Sequence, residues 1–138
     1  MITILILTAI WISYTMLGAY TQAHYYDLYP SEKKHRNLHP FYVIERMIIL
    51  FGIWQILPLS FPLWDCIIFI FALCFIYSFF HNGLYYWTRN KLNPSVYPKK
   101  WKDSSTTSEA LFEVGFGMRT AMMLIGFLLI AGVILENT

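Results

Sequence analysis

Four long apolar segments constrain the fold of this chain more than any other feature of its sequence. They cover residues 2–22, 41–57, 63–87 and 108–135, and crossing the hydrocarbon core of a bilayer takes about 20 residues of α-helix. Charged residues make up only 13% of the chain, whereas roughly 25% is usual in soluble domains. The sequence therefore predicts an all-α polytopic membrane protein. We expect four transmembrane helices in an antiparallel bundle, with residues 1–138 forming a single domain.

Prolines and a capping motif mark the expected ends of these helices. Pro40 fits the first turn of the second helix, where a missing N–H costs nothing. Pro58 and Pro62 enclose a short connection between the second and third helices. Thr106 followed by Glu109 matches a capping box, which predicts the start of the fourth helix nearby.

Eight of the ten Lys and Arg residues lie in two loops, residues 23–40 and 88–107. Neither terminus has a Lys or Arg, and neither does the connection between the second and third spans. Because Lys and Arg accumulate in cytoplasmic loops, we expect both basic loops in the cytoplasm and both termini outside. The membrane would be an inner (plasma) membrane of the bacterial type. The basic residues of these two loops are Lys33, Lys34, Arg36, Arg89, Lys91, Lys99, Lys100 and Lys102.

Each span has a stripe of polar or small residues at helical spacing. Lipid disfavours polar groups on an outer helix surface, so the stripes are expected to face the bundle interior. On the first span the stripe consists of Thr8, Trp11, Thr15, Gly18, Gln22 and Tyr25. On the second and fourth spans the stripes are Glu45, Ile48, Gly52 and Gln55, and Ala110, Glu113, Gly117 and Thr120.

The stripes place ionisable groups at one depth. With a rise of 1.5 Å per residue, Glu45 lies about 6 Å and Glu113 about 8 Å inside their helices. His81 lies at a similar distance from the end of the third span, with Tyr77 one turn away, and Gln22 closes the first span. We therefore expect Gln22, Glu45, His81 and Glu113 to converge in the cytoplasmic half of the bundle.

Two arginines need separate treatment. Arg119 lies about 120° around the fourth helix from Glu113, on a second stripe with Gly115 and Gly126 that another helix could approach closely. Its partner must come from another helix, another subunit, a ligand or a wet cavity. Arg46 lies near the membrane boundary and is interpreted as reaching the lipid headgroups. The predicted ligand-binding residues are Glu45, His81, Glu113, Arg119, Gln22 and Tyr77.

The cysteines and the net charge argue against several functions. Cys66 and Cys74 are separated by about 12 Å of helical rise, which is too far for a disulfide between them. No Cys/His zinc spacing and no glycine-rich phosphate loop is present in the sequence. A net charge of +2 is too small to favour a nucleic acid as a partner.

The histidines allow two minor interpretations that involve metal. His35 and His39 have the i, i+4 spacing of helical metal ligands, but they lie in a polar segment that reads as a loop. His24 and His81 are close enough in depth for a haem, yet no supporting motif accompanies them. We predict no metal site, and the sequence leaves the cofactor open.

Three functions remain possible. The first is a membrane protein whose ionisable cluster binds a small ligand, an ion or a proton, as a transport- or channel-like oligomer. The second is a membrane-embedded enzyme for a lipid or isoprenoid substrate, with acid, base and anion-holding groups in the same cluster. The third is an accessory subunit, or an immunity-type partner, of a larger membrane complex.

Overall fold

The computed structural model describes residues 1–28, 39–58, 60–102 and 114–138, which are helical with no strand in these ranges. The prediction of an all-α protein is confirmed. A short 3-10 helix covers Lys100–Lys102. Within the described ranges the α-helices are α1 (Ile2–Leu28), α2 (His39–Ile56), α3 (Leu63–Leu92) and α4 (Phe116–Glu136).

Three of the helices, α1, α3 and α4, are long and apolar enough to cross a membrane. This agrees with the prediction of a membrane protein that has transmembrane helices. The second helix has 18 residues, two of which are the adjacent charges Glu45 and Arg46, and it is not among these three. That α2 also crosses the membrane, and with it the four-span bundle, stays a prediction.

Several helices differ in extent from the apolar segments. The first and third continue past the predicted ends, to Leu28 and Leu92, because hydropathy marks the membrane boundary and not the end of a helix. The fourth begins at Phe116 with Gly115 as its N-cap residue, later than the predicted start at 108. The capping box at Thr106 and Glu109 lies outside the described residues.

The third helix is the centre of the molecule, with α1 and α4 packed along it and α2 in much smaller contact. Trp11 contacts Leu73, and Asp27 contacts Arg89, so α1 and α3 run in the same direction. The Asn137 amide donates to Asp65 across 2.7 Å, which places the end of α4 beside the start of α3. Because α1 and α4 have little contact with each other, α3 stands between them.

The face that α2 turns towards α3 differs from its predicted stripe. Leu50, Ile53 and Leu57 are buried in the apolar core, whereas Glu45 and Ile48 are exposed. Counting back from Leu50 by four residues places Arg46, and not Glu45, on the packed face. The predicted position of the packed face was therefore wrong by about one residue, or 100° of helix rotation. Helix α2 packs against α3 with its apolar residues and not with its most polar stripe.

Residues 93–102 fold back along the end of α3. The Trp101 indole fills a notch at Gly83, where an added Cβ would overlap the ring. Trp101 also lies 5.7 Å, ring to ring, from Phe79, and Asn90 donates to the Tyr97 carbonyl at 2.7 Å. The segment is therefore held on α3 by aromatic packing and by a hydrogen bond to its backbone.

Replacing Gly83 with alanine is expected to release this segment. The new methyl group would displace the Trp101 indole, and overpacking of this kind costs roughly 1–3 kcal/mol. A segment destabilised by that free energy opens more often, so tryptic cleavage in Lys99–Lys102 should be about tenfold faster. Mass spectrometry of the fragments measures the cleavage rate. Gly52→Ala is the matched control, because nothing lies within 4 Å of a Cβ there. Equal cleavage rates in the two variants would contradict the role assigned to the notch.

Candidate functional site

A cavity of about 190 Å³ lies between α1, α2 and α3. Helix α2 contributes two opposite charges, Glu45 and Arg46, and α3 contributes Tyr77 and His81. Helix α1 adds polar groups that include Thr15, Thr21 and Gln22. Glu45 and Thr21 are exposed whereas His81 is buried, so the cavity runs from an open mouth to a closed inner end.

Four of the six predicted site residues line this one cavity: Gln22, Glu45, Tyr77 and His81. Three of the four residues that were expected to converge, Gln22, Glu45 and His81, therefore line one cavity, and the binding of a ligand there stays a prediction. Glu113 lies outside the described residues. The sixth residue, Arg119, lies elsewhere.

Arg46 is the cavity residue that the sequence interpretation missed. Its guanidinium group lies over the Tyr77 ring, at 4.4 Å from the centroid, and its contact with lipid headgroups stays a prediction. Its Nη2 donates to His81 Nε2 at 3.4 Å. Among the described residues no carboxylate lies within ion-pair distance of Arg46, since the ion pair found there joins Arg89 and Asp27. The spacing of the apolar residues Leu50, Ile53 and Leu57 was the feature of the sequence that could have placed Arg46 on the packed face of α2.

The hydrogen bonds around His81 define its protonation state. The Asn82 amide donates from Nδ2 to Ser78 Oγ at 3.2 Å, which directs Asn82 Oδ1 towards His81 Nδ1, also at 3.2 Å. An amide oxygen only accepts, so Nδ1 carries the proton. Nε2 then accepts from Arg46, which only donates. The assigned network therefore contains a neutral imidazole with both ring nitrogens engaged.

Aromatic rings form the inner wall of the cavity. Tyr77 stacks on His81 with 4.8 Å between ring centroids, and Trp11 lies 6.1 Å from Tyr77 and 5.6 Å from Tyr14. The Trp11 indole N–H donates to the Leu73 carbonyl at 2.8 Å, which fixes α1 against α3 behind the cavity. The charged groups at the mouth thus stand in front of a rigid, packed wall.

Arg119 does not join the cavity. It is only 1% exposed, with Nη2 directed to the Trp101 carbonyl at 3.5 Å and its guanidinium carbon 5.6 Å from the Tyr86 centroid. It lies on α4, which packs against α3, whereas the cavity is lined by α1, α2 and α3. This agrees with the separate stripe on which the sequence placed Arg119.

A second buried arginine ties the helix ends together. Arg89 Nη1 lies 3.2 Å from Asp27 Oδ1 and donates to the Ala23 carbonyl at 3.3 Å. Its guanidinium carbon is 5.3 Å from the Tyr97 centroid. Because these contacts join α1, α3 and the segment after α3, we assign Arg89 a structural role.

The described ranges contain no group of three or more His, Cys, Asp or Glu side chains placed to hold a metal ion. No protein-family model, no curated protein and no solved structure matches this chain. Its helices and its cavity together describe a helical protein of the membrane with a polar, charged recess near one end of the helices.

Proposed function

We propose that this protein is an integral membrane protein that binds a small polar ligand in the cavity between α1, α2 and α3. The observation that supports it most is the position of Arg46. A guanidinium group in a membrane costs at least about 2.5 kcal/mol, and this one contacts a neutral imidazole and an aromatic face. Most of its five N–H donors are left for a ligand.

The location of the cavity suggests how the ligand would arrive. Glu45 lies six residues after the first residue of α2, His39, which corresponds to about 9 Å of helical rise. The mouth is thus close to the end of the molecule that holds the long loops, and a ligand would enter from that side. Transport- or channel-like handling of the ligand, in an oligomer, extends the proposal, because one small cavity does not by itself cross a bilayer.

The hydrogen bonds of His81 do not favour this residue as the general base of an enzyme for lipids. A general base needs a free lone pair within reach of its substrate. In His81, Nε2 already accepts from Arg46 and Nδ1 faces Asn82. The imidazole therefore orients Arg46 in this arrangement and is not poised to remove a proton.

The proposal predicts that Arg46→Gln loses the ligand. Hydrogen bonds to a charged group contribute roughly 1.5–3 kcal/mol, so the affinity for the ligand should fall at least about tenfold. Native mass spectrometry of the detergent-purified protein would show a small-molecule adduct on the wild type and little on the variant.

Lys102→Gln is the control for this experiment, because Lys102 is exposed and lies outside the cavity. It should retain the adduct at the wild-type level. A wild-type protein without an adduct, or an adduct of equal occupancy on Arg46→Gln, would contradict a binding function for the cavity.

A further inference from the structure

The two charges of the cavity are adjacent in sequence yet do not pair with each other. Glu45 and Arg46 both line the cavity, and neighbouring residues project about 100° apart around a helix. They do not lie within ion-pair distance of each other, since among the described residues the ion pair is the one between Arg89 and Asp27. The cavity therefore presents a carboxylate and a guanidinium group at separate positions.

Tyrosine side chains surround both charges. Tyr14, Tyr42 and Tyr77 line the cavity together with Glu45 and Arg46, and the Arg46 guanidinium carbon lies 6.0 Å from the Tyr42 centroid and 4.4 Å from that of Tyr77. A phenol hydroxyl can donate to an anion or accept from an ammonium group, and the face of a tyrosine ring attracts a cation. This lining can satisfy a ligand group of either sign.

The geometry points to a small zwitterion as the ligand: an ammonium group and a phosphate or carboxylate group on one short chain. The acidic group would bind Arg46 and the ammonium group would bind Glu45. This inference rests on the proposed binding function and specifies its ligand class.

The physical reason is the cost of desolvation. A single ion that entered the cavity would lose its water and meet one attractive and one repulsive charge. A zwitterion brings no net charge, and each end meets its opposite. The volume of about 190 Å³ suits a headgroup or a small amino acid.

Two sources supply this chemistry, and the depth of the site admits both. One is the phosphoethanolamine headgroup of a membrane lipid, because a mouth about 9 Å along α2 lies near the boundary between headgroups and acyl chains. The other is a free amino acid that arrives from solution. The recognition of opposite charges is the same for each.

The experiment measures binding to the full chain in nanodiscs of phosphatidylglycerol, which has no ammonium group. Isothermal titration would compare glycerophosphoethanolamine and β-alanine with two probes that carry charge of only one sign, inorganic phosphate and ethanolamine. At least one zwitterion should bind about tenfold more tightly than either of these two probes, because each additional charge-assisted contact contributes at least about that factor. A preference for glycerophosphoethanolamine, together with retention of phosphatidylethanolamine in native mass spectra, identifies a lipid source. A preference for β-alanine identifies a free amino acid.

The variants test each half of the site. Glu45→Gln should reduce the affinity for the preferred zwitterion to that for its acidic fragment, and Arg46→Gln should reduce it to that for ethanolamine. Glu136→Gln, an exposed carboxylate at the far end of α4, should change nothing.

Three results would overturn the inference. Phosphate that binds as tightly as every zwitterion, with no effect of Glu45→Gln, would define an anion site and leave the proposed function intact. Ethanolamine that binds as tightly, with no effect of Arg46→Gln, would define a cation site. Failure of all probes to bind would also reject a zwitterion, and the proposed function would fail with it only if the purified protein also lacked an adduct in native mass spectra.

Discussion

Replacing Trp11 with alanine should lower the free energy of unfolding by about 3–5 kcal/mol, the range for removing a large aromatic side chain from a packed core. Trp11 is 1% exposed and lies between α1 and α3, where its indole donates to the Leu73 carbonyl at 2.8 Å. The substitution leaves a void and removes this hydrogen bond, so α1 loses its main fixed point on α3. Unfolding by SDS in mixed micelles, followed by circular dichroism, measures the change.

Trp64 provides a matched control on α3. Its side chain is 72% exposed, so alanine at this position removes the same group without opening a void in the core. Trp64→Ala should change the unfolding free energy by less than about 0.5 kcal/mol, as surface substitutions usually do. Similar losses in both variants would mean that Trp11 is not the anchor between α1 and α3.

Trp11 also supports the wall of the cavity, which connects stability with binding. Its indole lies 6.1 Å from Tyr77, and Tyr77 in turn supports both Arg46 and His81. The side chains that recognise the ligand are thus placed by packing that extends from the core of the α1–α3 interface. Loss of the indole is expected to weaken binding in the same variant.

The convergence of Gln22, Glu45, Tyr77 and His81 could be predicted from the sequence because two simple quantities determine it. Helical rise gives the depth of each residue, and the polar stripe of α1 gives its inward face. The buried positions of Thr8, Trp11 and Thr15 follow that predicted stripe. The depth of a residue and the spacing of a polar stripe both depend only on positions within one helix, so the sequence is enough to predict them.

The orientations of α2 and α4 could not be predicted in the same way. On α2 the packed face contains Leu50, next to the predicted stripe, and on α4 it contains Arg119 and Gly126, which the sequence placed on the second of two stripes. Which face of a helix is packed depends on the shape of the helix that meets it. The packed face is therefore determined by tertiary contacts, such as the notch at Gly83, and not by the spacing of polar residues within α2 or α4.

Gly126 shows how this tertiary contact is made. The sequence interpretation placed it on a surface that another helix could approach, and the helix that does so is α3 of the same chain. A Cβ at Gly126 would lie 2.6 Å from Ile76 Cγ2 and 2.9 Å from the Ala72 carbonyl oxygen. Ala72 is itself fully buried, so two small residues allow the backbones of α3 and α4 to approach closely.

Gly126→Ala should therefore destabilise the protein by about 1–3 kcal/mol, the usual cost of overpacking. The Ile76 side chain can move, but the Ala72 carbonyl belongs to the backbone of α3, so the two helices must separate. Because Arg119 lies on the same face of α4, this separation should also disturb its contact with the Trp101 carbonyl. The SDS titration used for Trp11 measures the loss of stability, and tryptic cleavage in Lys99–Lys102 reports the disturbance.

Gly132→Ala is the matched control, six residues further along the same helix. Nothing lies within 4 Å of a Cβ at Gly132, so alanine there should stabilise the helix by up to about 1 kcal/mol through its higher helix propensity. The two substitutions add the same methyl group to the same helix, and only the neighbouring backbone of α3 makes their expected effects opposite in sign. A stabilising effect of both would show that α3 and α4 do not approach closely at Gly126.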